Sequence, residues 1–177
     1  MKKWMILSAA LWLVASMGYA KKAMVVTDGD ICSLLGQDTT VSVVFDYSHT
    51  RWEQEESYKD FCGDDYQVRV DNSLTTFTEA FNRTSKTLRA TTSGDAAYRM
   101  VVVVDNLERK QGWVMWGRMF IRVTGQIQVF DAATNEPVLT VTVQNLAGDE
   151  DFVPNDRLNK CFDKLATQLV ALGKKCK

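Results

Sequence analysis

The sequence predicts an α+β fold, a two-layer sandwich in which two helices pack on one face of a mixed sheet containing an antiparallel meander. Three observations carry this expectation. Apolar residues recur at every second position from Met119 to Val129, with Gly125 between, and again from Leu139 to Val143 within Val138 to Asn145. Two segments repeat apolar residues at helical spacing, Val70, Leu74, Phe77, Phe81 in one and Leu158, Cys161, Phe162, Leu165, Leu169, Leu172 in the other. Neither internal repeats nor a long Gly/Ser/Pro linker interrupts the order strand, helix, meander, helix.

Taken in order, Met1 to Ala20 has a basic start at Lys2 and Lys3, an apolar run from Trp4 to Val14 and small residues at Gly18 and Ala20. This is the pattern of a secretory signal peptide. The apolar run falls short of the roughly 20 residues needed to span a bilayer. Residues 1–20 are therefore expected to be cleaved, leaving a single domain over 21–177, periplasmic or secreted, with no stable membrane span. Position 21 is lysine, so no cysteine follows the leader for lipid attachment.

Val41 to Tyr47 is the first expected strand, β-branched and aromatic after the turn formers Gly36, Gln37 and Asp38. A polar loop from Ser48 to Asp65 leads to the first helix, with Asp64 as N-cap and Gln67 three residues on. Leu88 to Thr92 adds a short strand. Ala97 to Asp105 contains four consecutive valines, 101 to 104, which suit a central strand covered on both faces. Met119, Ile121, Val123, Ile127 and Val129 of the next strand point inward, and Arg118, Arg122, Thr124, Gln126 and Gln128 outward. Asp131 to Pro137 turns the chain, and Leu139, Val141 and Val143 return on the core side. Pro154 stands near the start of the last helix, and Gly173 with Lys174 and Lys175 ends it.

A right-handed crossover through the first helix would make the first, third and last of these main strands run the same way, so that both helices start at one end of the domain. All four cysteines lie after the leader, and an even count in an exported chain points to two disulfides, with free thiols as the alternative. The shared end pairs Cys62 with Cys161 and leaves Cys32 for Cys176. Cys161 with Cys176 is disfavoured, because about twelve helical residues between Cys161 and Gly173 span roughly 18 Å against a Cα separation below about 7 Å. Cys161 also sits on the apolar stripe, where a buried thiol fits equally.

Charge and motifs narrow the function. Twenty-one basic and 22 acidic residues give a net charge of −1, which argues against nucleic acid as a partner. One histidine, His49, excludes sites that need two imidazoles, and no CxxC, phosphate loop or nucleophile elbow is present, so no cofactor or metal is expected. His49, among Arg51, Glu53, Glu55 and Glu56, has no motif placing a nucleophile beside it and reads as a solvated loop residue. The acidic groups at Asp28 and Asp30, Asp64 and Asp65, and Asp149 to Asp151 lack the spacing of a calcium loop. Asn82, Arg83, Thr84 matches a glycosylation sequon but falls at a helix end.

The segment from Gly112 to Gly117, GWVMWG, is unusually apolar for a connection. Trp113 and Trp116 there are candidate partner anchors, with Phe120, Arg118 and Arg122 on the outer sheet face beside them. The alternative is that the tryptophans close one end of the core.

The stretches AYRMVVVVDNL from Ala97, GQIQVFDAATNEPVLTVTV from Gly125 and RLNKCFDKLATQLVAL from Arg157 resemble a family of bacterial envelope α/β domains. The family includes the amino-terminal domain of the Tol-system translocation protein, penicillin-binding-protein activator lipoproteins and the curli-secretion lipoprotein. In these a valine-rich strand precedes a hairpin whose turn carries an aspartate and small or polar residues, here Asp131, Thr134 and Asn135, with a terminal helix behind. This chain departs in lacking a lipidated cysteine, in the insertion from Ser48 to Asp65 and in the tryptophan-bearing connection. The resemblance implies a non-catalytic module that binds an envelope protein. The reading from a different class is a small periplasmic ligand carrier or hydrolase, using a cleft between the helices and the 48–65 loop.

Overall fold

A computed structural model of the chain describes residues 22–111, 119–149 and 154–174. Its strands are β1 (Met24–Gly29), β2 (Thr40–Asp46), β3 (Arg51–Trp52), β4 (Glu56–Ser57), β5 (Arg89–Thr91), β6 (Tyr98–Gln111), β7 (Met119–Asp131) and β8 (Pro137–Ala147). Its helices are α1 (Ile31–Leu35), α2 (Tyr58–Cys62), α3 (Tyr66–Thr84) and α4 (Pro154–Gly173), with a 3-10 turn at Gly63–Asp65. One mixed sheet runs β1-β8-β7-β6-β2-β5, and β3 extends the β6 edge beyond β2, carrying β4. The expected α+β sandwich is the observed one.

The meander forms as the alternation requires. In β7, Ile121, Val123, Ile127 and Val129 are buried, facing Leu139, Val141, Val143 and Leu146 of β8 and Met100, Val102, Val104 and Leu107 of β6. Phe77, Ala80 and Phe81 of α3 and Leu158, Cys161, Phe162, Leu165 and Leu169 of α4 close this core. The parallel pairing of β2 with β5 and β6 confirms the crossover through α3, and β2, β6 and β8 share one direction. One hollow joins Asp65 and Arg69 to Leu158, and another joins Thr84 and Ser85 to Val170 and Gly173. The two long helices therefore start together and end together.

Several expectations need correction. The four valines lie centrally, but only Val102 and Val104 are buried under the helices. Val101 and Val103 are half-buried on the face the long helices leave open. β6 continues to Gln111 past a bulge between Val104 and Asn106, opposite Gly125. A Cβ at Gly125 would stand 2.1 Å from the Val103 carbonyl oxygen, so the glycine permits this close approach.

The first long helix begins at Tyr66. Asp65 occupies its cap position without a side-chain cap bond, and Gln67 donates to Asp71 at 2.9 Å, so Asp64 and Gln67 build no capping box. The 48–65 segment is a folded element rather than a polar loop. Trp52 and Tyr58 are core residues there, and Thr50 donates to the Val104 carbonyl at 2.5 Å. The sequence reading also missed two elements near the start. β1 is an edge strand with Met24 alone buried, held by its ladder to β8, and α1 is capped by the Asp30 carboxylate accepting from the Cys32 amide at 2.9 Å.

The cysteines divide. Cys62 and Cys161 are free, which overturns the expected bridge between them. Cys161 follows its apolar stripe: it is fully buried against the end of β8, its Sγ 3.7 Å from the Leu146 carbonyl. Cys62 sits instead beside Tyr58, whose hydroxyl partly offsets the upward effect of burial on the thiol pKa. Cys32 is disulfide-bonded. It shares a hollow with Gly173 and Lys174 at the end of α4, and Cys176, its expected partner, lies outside the described residues.

Gly125→Ala is expected to lose about 2 kcal/mol, a Tm drop of about 4–8 °C in thermal denaturation, whereas Gly94→Ala, where a Cβ meets nothing within 4 Å, should stay within about 0.5 kcal/mol of the parent. Burial pushes the Cys161 thiol up to about 12, so alkylation of the native protein at about pH 8 should modify Cys62 slowly and spare Cys161. Non-reducing peptide mapping of the same sample should recover Cys32 linked to Cys176; a Cys62–Cys161 peptide would contradict this arrangement.

Candidate functional site

Trp113, Trp116 and Arg118 lie outside the described residues. Phe120 and Arg122 are described, and both project from the open face of β7, where even-numbered residues point away from the helices. The Arg122 guanidinium lies 5.5 Å from the centre of the Phe120 ring. At the other end of the same strand Phe130 carries Arg99 of β6 in the same way, at 5.2 Å. Two arginine-on-phenylalanine pairs thus mark the two ends of one open strand face, a contact type worth about 0.5–1 kcal/mol each when exposed.

Local structure fixes the second pair. The Asp131 carboxylate accepts from the Ala133 and Thr134 amides at 2.9 Å each, and these two bonds, Thr134 first, hold its pKa below the usual range. Asn135, at φ 57°, then places its side-chain oxygen 2.7 Å from Nη2 of Arg99. The turn residues Asp131, Thr134 and Asn135 therefore position an arginine on the open face. Between the pairs lie Thr124, Gln126 and Gln128, half-buried, with Val44 at 49% exposure and Val25 at 46% toward the two edges. Nε of Arg122 is buried there without a hydrogen-bond partner among the described residues.

A second site lies on the helix side, where α3 and α4 start, between the helices and the 48–65 segment. Trp52 stacks on Phe61 with ring centres 4.1 Å apart and planes 11° apart, and Tyr58 stands 6.2 and 6.3 Å from the two. The rings continue inward through Tyr47 to Phe45 and Phe162, joining the pocket to the core. Trp52 is held by the pairing of β3 with Asn106 and Leu107 of β6. Glu53 and Gln54 turn the chain at φ 54° and 66°, positions where glycine is usual, and the Glu55 amide donates to the Trp52 carbonyl at 3.1 Å. Bonds to β6 secure it: Glu53 N to Leu107 O at 2.8 Å and Gln54 N to Asn106 Oδ1 at 3.0 Å. The cavity beside these rings has a volume of about 150 Å³, and Arg69, Arg109 and Arg157 lie on its wall.

The sequence reading had placed a cleft in this region but named none of its aromatic residues. Their signal was Trp52, Tyr58 and Phe61 scattered among Glu53, Glu55, Glu56, Lys59 and Asp60, where charge masks the apolar spacing. Other candidates have structural roles or stand alone. His49 is exposed. Asp30 caps α1, and Asp149 pairs with Lys164 at 3.0 Å. Asn82 uses its side chain to hold both the amide and the carbonyl of Ala90 at 2.8 Å. Among the described residues no group of three acidic, histidine or cysteine side chains gathers to hold a metal, and no helix is long and apolar enough to cross a membrane.

Truncation separates the contributions to the aromatic stack. Phe61→Ala, at a ring 39% exposed, is expected to cost about 1–2 kcal/mol, and Trp52→Ala, at a buried ring, about 3–5 kcal/mol, as read from urea denaturation midpoints.

No protein-family model and no curated protein matches this chain. Among solved structures it is similar to a PelC dodecamer from Paraburkholderia phytofirmans, 13% identical, over 82% of this chain and 97% of that one, with a TM-score of 0.46. A point variant of that PelC dodecamer matches at 13% identity over 82% and 95% with a TM-score of 0.44. A minor lipoprotein from Acinetobacter baumannii matches at 13% identity over 78% and 95% with a TM-score of 0.36.

Proposed function

We propose that this chain is an exported, non-enzymatic module of a bacterial cell envelope that binds another protein on the open face of its sheet. The observation that carries this reading is the repetition of one contact: Arg122 over Phe120 and Arg99 over Phe130, at the two ends of β7 on the uncovered face. Arginine and aromatic side chains are enriched where partners anchor. The unpartnered Nε of Arg122 is a donor that a partner's carbonyl or carboxylate would satisfy. Trp113, Trp116 and Arg118, just before β7 in sequence, belong to the same surface in this proposal.

The leader pattern of residues 1–20 supports export and a mature domain over 21–177. The likeness to the Tol-system, penicillin-binding-protein activator and curli-secretion domains fits this reading, with Asp131 and Asn135 serving to set Arg99. The carrier reading is supported by a separate observation, the aromatic pocket between the helices and the 48–65 segment.

Cross-linking in the envelope followed by affinity capture tests the proposal. A specific protein should be recovered with the parent chain, and its recovery should fall about tenfold or more, equivalent to about 1.4 kcal/mol, for Arg99→Glu combined with Arg122→Glu. Undiminished capture by that double variant, with its Tm preserved, removes the open face as the binding surface.

A further inference from the structure

Beside Arg99 the open face ends in a hollow of about 300 Å³, lined by Ser42 and Val44 of β2, Thr92 and Ser93 after β5, Arg99 of β6 and Asn135 of the β7–β8 turn. Three of these side chains carry hydroxyls and one an amide, and Arg99 is the single charge among them. The hydroxyls are held on the wall. Ser42, 9% exposed, donates to the Tyr98 carbonyl at 3.4 Å, and Ser93 shares a hydrogen bond of 3.0 Å with Thr91.

Arg99 is fixed in place but not neutralised. Its Nη2 donates to Oδ1 of Asn135 at 2.7 Å and its guanidinium carbon stands 5.2 Å from the centre of the Phe130 ring, and both partners are uncharged. Among the described residues Arg69, Arg83, Arg109, Lys110 and Lys164 each pair with a carboxylate, and Arg99 pairs with none. The carboxylate built into the adjoining turn, Asp131, gives its Oδ1 to the Ala133 and Thr134 amides and to the Thr134 hydroxyl. It shapes the turn rather than countering the arginine. A guanidinium has five N–H donors in a planar fork, and Asn135 takes one of them, so a two-donor edge remains that matches the two oxygens of a carboxylate.

One uncompensated positive charge is balanced by one carboxylate, whereas a phosphate group would bring more negative charge than this wall answers. In water a lone guanidinium–carboxylate pair is too weak to retain a free acid, and it strengthens only where a covering surface excludes solvent. A partner lying on the open face supplies that cover. Val44, 49% exposed, belongs both to the hollow and to the open face, and the Phe130 ring beneath Arg99 is one of that face's two aromatic anchors.

We propose that the partner of the open face inserts an aspartate or glutamate side chain into this hollow, its carboxylate bound by the free edge of the Arg99 guanidinium with the Thr92 and Ser93 hydroxyls beside it. This rests on the open-face reading and adds to it the chemistry of what binds there.

Capture from the envelope tests this through variants at position 99. A carbodiimide joins an amine to a carboxylate only at contact distance, so Arg99→Lys treated with it in the envelope should become linked, through position 99, to an aspartate or glutamate of the captured protein, as read by peptide mapping. Recovery of that protein should fall about tenfold for Arg99→Gln and stay within about threefold of the parent for Arg99→Lys. Arg83→Gln, whose guanidinium pairs with Asp163 on the helix side, should leave recovery unchanged. Recovery that responds to Arg99→Glu combined with Arg122→Glu but not to Arg99→Gln, with position 99 linked to no carboxylate, overturns the acidic seat and leaves the open-face reading standing. Recovery indifferent to every one of these variants overturns both. Titration of the purified protein with N-acetylglutamate separates the two sources of a carboxylate: saturable binding with a Kd below about 1 mM overturns the partner assignment in favour of a free acid, and heats without saturation support it. If Arg99→Gln lowers the Tm, the carbodiimide linkage of Arg99→Lys decides alone.

Discussion

The inner face of the β6, β7 and β8 ladder is a continuous apolar surface, from Met100, Val102 and Val104 through Ile127 and Val129 to Leu139, Val141 and Val143, and the rest of the domain depends on covering it. An antiparallel meander cannot bury such a face by itself. Two helices of about 30 Å each lie across it, and Phe77, Phe81, Phe162 and Leu165 supply the complementary stripe. Close seating of α4 needs Gly148, where a Cβ would come within 2.8 Å of the Cys161 Cα. Register on the other side of the ladder needs Gly125 for the same steric reason.

Covering one face with helices that both begin at one end has an electrostatic consequence. The positive helix ends accumulate there rather than cancel, and Arg69, Arg109 and Arg157 add to them beside Glu53 and Asp65. The insertion between β2 and α3 closes this end with rings, Trp52 from β3 and Tyr58 and Phe61 from the short helix α2. Its path is costly, with two consecutive non-glycine residues at positive φ, and bonds to β6 hold it in place. Stored local strain is a feature that folding alone does not favour, and here it stands beside the aromatic cavity.

The opposite face follows a different logic. Its residues alternate out of the core, so nothing in the packing of the domain selects phenylalanine at 120 and 130 or arginine at 99 and 122. One pair is nevertheless held in place, through the chain Asp131, turn, Asn135, Arg99. The molecule thus separates an open sheet face with arginine and aromatic anchors from a recessed, cationic aromatic slot, and the ladder holds the two in fixed relation.

The sequence by itself determined the sheet meander, the two covering helices and their relative direction, because period-2 and period-3.6 apolar patterns report which face of an element is buried. It determined the hairpin turn through Asp131 and Asn135 as well. Edge strand β1 escaped because it is held by ladder hydrogen bonds with only Met24 buried, and hydrogen bonding to a neighbour leaves no periodic mark. The aromatic pocket escaped because Trp52, Tyr58 and Phe61 converge through three short elements whose charged neighbours dominate the local composition. Tertiary structure alone decided the fate of Cys62 and Cys161. Both lie at the end of the domain where the helices start, as the topology required, but one faces the sheet and the other the aromatic end, and the rotation of a side chain about its helix is set by packing rather than by position in the chain.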